Sequence, residues 1–146
     1  SEVLEHLVDY KKALLEMNRV LKPGGTLAVS VPSFFPEWIC WMLSSAYHEM
    51  PGGHLRIFRE KKLKEEIKDL GVSFQKRHRA HSLHVPYWWF KCLFWGQDET
   101  SSLIGRYHEF LVWDLMQKPR ITRWMETLLD PLLGKSVAMY FHKPKN

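Results

Sequence analysis

The chain has 146 residues, of which 45% are apolar and 25% charged, and it carries a formal net charge of +5. That length suits one domain burying roughly 68–70% of its unfolded surface, and the composition is that of an ordinary globular protein. The charge is compatible with an anionic substrate, nucleic acid or a membrane surface, and selects none of them.

Cys40 and Cys92 are the only cysteines and form no CxxC pair. This argues against a disulfide framework or a cysteine-based zinc site and makes a reducing, cytoplasmic compartment the expectation. The longest apolar run, WICWML at 38–43, is far shorter than the ~20 residues that span a bilayer.

SEVL, at the start, reads as a strand. Residues 9–21, DYKKALLEMNRVL, read as a helix capped by Asp9. Its apolar stripe is Tyr10, Leu14, Met17 and Leu21, widened by Ala13 and Val20. KPGG at 22–25 ends it, because Pro23 cannot continue a helix and the glycines permit positive φ. TLAVSV at 26–31 is small, β-branched and apolar, as a strand covered on both faces should be. Residues 32–50 read as a loop holding an aromatic helix, and GGHLRIF at 52–58 as a turn and a short extended piece. REKKLKEEIKDL at 59–70 is an amphipathic helix with Leu63, Ile67 and Leu70 on one face and Gly71 as its stop. VSFQKRH alternates like a strand. Residues 82–133 read as helical and aromatic, broken at Pro86, Pro119 and Pro131, and SVAMYF at 136–141 closes the chain as a strand. Strands alternating with helices predict an α/β fold with a parallel sheet. No internal repeat or low-complexity tract occurs.

SEVLEHLVDYKKALLEMNRVLKPGGTLAVSVP, residues 1–32, resembles the second half of the class I S-adenosylmethionine-dependent methyltransferases, and RVLKPGG at 19–25 is the most specific part. GGHLRIFREKKLKEEIKDLGV at 52–72 looks like that family's next helix and strand. The match fades beyond about residue 80, save that SVAMYFHKP looks like its last, antiparallel strand. The resemblance implies the carboxy-terminal half of a Rossmann-like methyltransferase sheet with a helical insertion before the last strand. All 146 residues would be part of one domain: 1–81 core strands and helices, 82–133 the insertion, 134–146 the last strand.

The family binds S-adenosyl-L-methionine mainly through a glycine-rich turn and a ribose-binding acid in its first half. No GxGxG occurs here, and the glycine pairs 24–25 and 52–53 have turn roles. The chain therefore reads as a fragment, inactive alone, of a cytoplasmic enzyme that methylates a small-molecule acceptor of hydrophobic character. What remains of the cofactor site would fall on Glu2, Leu4 and Glu5.

SEVLEH sits where open α/β sheets bind ligands. Its ExxEH spacing resembles that of ubiquinone-pathway O-methyltransferases and small-RNA 2′-O-methyltransferases, where it holds a metal near the acceptor hydroxyl. On that reading Glu2, Glu5, His6 and His54 would hold Mg²⁺ or a similar ion. The plainer reading is that these residues border the cofactor pocket, with His6 as catalytic base or hydrogen-bond partner.

Seven Trp are many for this length, and most lie in two clusters. Trp38 and Trp41, with Tyr87, Trp88 and Trp89 of LHVPYWWFKCLFW, could form a lid over a hydrophobic acceptor. With KRHRAH at 76–81 they could instead touch an anionic membrane surface, or simply pack as core. Alternating basic residues on a strand are usually a solvated edge, so no specific nucleic-acid partner is expected. An exposed strand edge predicts self-association of the fragment. The alternative from another class is a non-catalytic module that binds a partner or membrane through its aromatic face.

Overall fold

Asp9 opens α1 (Tyr10–Val20) by accepting a 3.0 Å hydrogen bond from the Lys12 amide, as an N-cap should. The computed structural model describes residues 2–96 and 103–145. Leu14 is the buried centre of the α1 stripe, and Tyr10, Ala13, Met17 and Leu21 pack around it. Val20, expected to widen the stripe, is 66% exposed. Gly24 then turns the chain at φ 77°, and its amide meets the Lys143 carbonyl at 2.9 Å. An L side chain rarely adopts that φ, which is why the turn is a glycine.

Strand β1 (Thr26–Pro32) follows, then α2 (Phe34–Leu43), α3 (Ser45–Glu49), α4 (Glu60–Lys68) and β2 (Ser73–Ala80). Three helices, α5 (His84–Leu93), α6 (Leu103–Gln117) and α7 (Arg120–Leu133), precede the last strand, β3 (Ser136–His142). The sheet order is β1-β3-β2, and β3 pairs antiparallel with both neighbours. The two flanking strands therefore run parallel to each other across a reversed central strand.

One face of this sheet is the main core. Leu27, Val29 and Val31 of β1 and Val137, Met139 and Phe141 of β3 meet Leu14 of α1 and Leu63 and Ile67 of α4. Burying each such side chain is worth about 1.5–3 kcal/mol relative to exposure. Among the described residues, helices do not cover the other face over β1 and β3 as they would in a doubly covered sheet. Ala28, Ser30, Ala138, Tyr140 and His78 border an open cavity of about 560 Å³ there. Burial along β1 alternates accordingly.

SEVL does not form the expected strand. Glu2 takes φ 51° and donates a single backbone bond, 3.0 Å, to Ser30 of β1. Residues 4–6 then turn. The guanidinium of Arg56 donates to the carbonyls of Leu4, Leu7 and Val8 and holds that turn. A strand paired on one flank gains few ladder bonds, and three charge-assisted bonds to the turn outweigh them.

Of the three prolines expected as breaks, only Pro119 separates two helices, as the residue before α7. Pro86 lies in the first turn of α5, where its missing N–H costs little, and Pro131 lies in the last turn of α7. Cys40 of α2 and Cys92 of α5, distant in sequence, meet as free thiols between these helices. Their mutual hydrogen bond and burial push the Cys40 thiol well above its ordinary range. Among the described residues no helix is long and apolar enough to cross a membrane.

Candidate functional site

The turn held by Arg56 carries Glu5 and His6, and the loop before α4 lays His54 beside them. The Leu55 amide donates to the Glu5 carbonyl at 2.9 Å, which fixes the two segments together. Glu5 is fully buried, and neither carboxylate oxygen has a hydrogen-bond partner. Burial pushes its carboxyl above the usual range, only partly offset by its own backbone amide dipole and the nearby His54.

His6 Nδ1 bonds the Gly53 carbonyl at 3.2 Å. A carbonyl only accepts, so in the neutral ring Nδ1 carries the proton and Nε2 the lone pair. Nε2 lies 3.9 Å from Glu5 Oε1. The His6 and His54 rings meet edge to face with centroids 4.9 Å apart. One ligand atom each from Glu5, His6 and His54 falls within 4.8 Å of the others.

His54 is oriented from behind by Glu37 of α2, whose Oε1 accepts from His54 Nδ1. Glu37 is itself buried, and also accepts from Trp41 Nε1 at 3.2 Å and from Tyr47 Oη at 3.3 Å. This carboxylate joins the histidine pair to the aromatic helices. Around it, Cys40, Tyr47 and Cys92 are buried, and Trp41, Trp88, Trp89 and Trp95 pack on them. Trp89 Nε1 donates to the Pro36 carbonyl at 3.1 Å, locking α5 to α2.

Of the residues singled out from sequence, the structure brings Glu5, His6 and His54 together. Glu2 stands apart: its Oε1 accepts from Ser136 Oγ, and it borders the open face of the sheet. Leu4 is buried in the main core. Trp41, Trp88 and Trp89 pack between α2, α3 and α5. Tyr87 is buried against Ile104 and Leu111 of α6, and Trp38 is 44% exposed. Sequence reasoning missed Glu37 and Arg56. Glu37 had a signal, as the lone acid inside the apolar run FFPEWICWML. Arg56 had none, because its partners are main-chain carbonyls about fifty residues away.

A family model described as a methyltransferase domain matches residues 1–75. Among solved structures, a Bacillus halodurans C-125 protein provisionally assigned as a methyltransferase aligns with 97% of this chain at 15% identity and a TM-score of 0.51. At that identity the likeness speaks for the fold alone, an α/β Rossmann-like arrangement. The chain spans 61% of that protein's length. Among curated proteins no match was found.

Proposed function

The chain belongs to the methyltransferase-domain family, and from that premise we propose that it supplies the acceptor-side, carboxy-terminal part of an S-adenosylmethionine-dependent methyltransferase acting on a small, largely apolar molecule. The observation that carries this reading is the buried, unpartnered Glu5 carboxylate beside His6 and His54, backed by a wall of tryptophans through Glu37. Carboxylates perturbed by burial beside a specific charge partner cluster at functional sites.

S-adenosylmethionine would bring an electrophilic methyl group. The crevice bordered by Glu2, Leu4, Met17 and Ser30 is about 110 Å³, well below the roughly 300–1,000 Å³ of pockets for drug-sized ligands. Leu4 is committed to the core. On this reading that crevice is only part of the cofactor pocket, and the rest is supplied by residues of the complete protein.

The tasks left to this chain are positioning and proton transfer. His6 Nε2 takes a proton from the acceptor, and the Glu5 carboxylate stabilises the imidazolium that forms. Glu37 holds His54 in one orientation. The exposed Trp38, with Phe35 at 6.4 Å, offers an apolar surface to the acceptor, while Trp41, Tyr87, Trp88 and Trp89 make its rigid support. Exclusion of water and a fixed approach supply the larger share of such a rate enhancement.

A second reading makes Glu5, His6 and His54 a divalent-metal site, and it is favoured by the 4.8 Å clustering of their ligand atoms. Two imidazoles and one carboxylate suit a borderline ion better than Mg²⁺, which prefers oxygen ligands. Chelation separates the two. In the complete protein, exhaustive treatment with EDTA leaves methyl transfer unchanged and His6→Ala lowers kcat about 10²-fold or more. Loss of activity on chelation, restored by adding an ion back, together with loss of one bound ion in His54→Ala, selects the metal reading. Unchanged kcat in His6→Ala removes this histidine from the chemistry.

A further inference from the structure

A second histidine cluster lies away from this site, where β2 runs into α5. His81 and His84 stand three residues apart at that junction, and α7 brings Glu126 to them. One nitrogen of each ring and one carboxylate oxygen fall within 4.8 Å of one another. The two rings meet edge to face with centroids 5.3 Å apart.

The cluster is left unsatisfied by the protein. Glu126 is 6% exposed. Its Oε2 lies 2.7 Å from Arg123 Nη1, but its Oε1 is buried without a partner. Nδ1 of His84 is also buried and unpartnered. Asp114, which shares Arg123 with Glu126, is 1% exposed and leaves Oδ1 unpartnered. A buried polar atom without a partner costs about 1–3 kcal/mol, so several near one junction call for a group that the protein itself does not provide.

We propose that His81, His84 and Glu126 form a binding site for a divalent transition-metal ion of the Zn²⁺ class. Two imidazoles and one carboxylate are a donor set that Zn²⁺ accepts, with a fourth position open to water. That position opens outward, because His81 is exposed on the border of the cavity over the open sheet face. Arg123 orients the carboxylate from outside, as outer-sphere partners of metal ligands do. The ion ties the end of β2 and the start of α5 to α7, and so pins the helical segment to the sheet. Its ligands share no residue with the Glu5, His6 and His54 group.

Co²⁺ is the probe, because its visible absorption reports coordination directly. The metal-free chain titrated with Co²⁺ develops an absorption band typical of a low-coordinate site, and added Zn²⁺ displaces it. His81→Ala, at an exposed position, weakens that binding more than about 100-fold, since loss of even an outer-sphere partner costs 10–100-fold. Glu126→Gln does the same, while His6→Ala leaves the band in place. Circular dichroism checks each variant's fold, and if Glu126→Gln does not fold, His81→Ala decides alone. The proposal is overturned if no such band forms at micromolar protein, if His81→Ala leaves it intact, or if His6→Ala removes it.

Discussion

Glu5 illustrates the conflict between stability and function in a single side chain. A carboxyl whose pKa is raised on folding keeps a proton that the unfolded chain has already released. Its burial therefore lowers stability progressively as pH rises from the ordinary carboxyl range through the raised value. Above that window the full penalty applies. Glu5→Gln removes the charge while keeping the shape, so it should stabilise the chain by about 1–3 kcal/mol at pH 8, or roughly 2–4 °C in Tm per kcal/mol. At pH 4.5 the gain should shrink. Thermal melts of both proteins at the two pH values measure this, and a Tm that falls in Glu5→Gln at pH 8 would show that the carboxylate is paired rather than stranded. The residue itself was legible in ExxEH. Its burial was not, because that depends on Arg56 folding the 4–8 segment into a turn.

At the level of elements, α7 reverses the usual arrangement. Its buried positions are Thr122 and Glu126, while Ile121, Trp124, Leu128 and Leu132 are each more than 60% exposed. Their spacing of three or four residues makes one continuous apolar stripe. We expect a second copy of the chain to cover this stripe in solution, since contiguous exposed apolar surface of this kind favours association. Sedimentation at rising concentration should show dimers or larger species, and Trp124→Glu with Leu128→Glu should return the chain to monomer. A wild-type monomer at high concentration would contradict this. Helices α1 and α4 were readable from their periodicity because each has one solvent face and one core face. Helix α7 could be placed as a helix, but not oriented, because its polar side is the buried one. Strand β2 was read from the alternation of VSFQKRH, which its burial does not follow, for it is an edge strand whose basic side chains stay in solvent.

Across the whole molecule, the packing is one-sided. Among the described residues, the main core fills one face of the sheet, the opposite face is open, and β1 carries on its outer flank only the single bond from Glu2. The α/β class, the reversed last strand and the helical segment before it were all legible from motif and pattern. Coverage on both faces was not, because a strand's composition records what a face can bury and not what is there to bury it. Our proposal assigns this chain the acceptor side of a methyltransferase and assigns most of the cofactor pocket to further residues. Calorimetric titration of S-adenosylmethionine into the product of the complete reading frame, and into this chain alone, tests that division most directly. The former should bind with a micromolar Kd and the latter with a Kd above about 1 mM. Micromolar binding by this chain alone, or none by the complete protein, would contradict it.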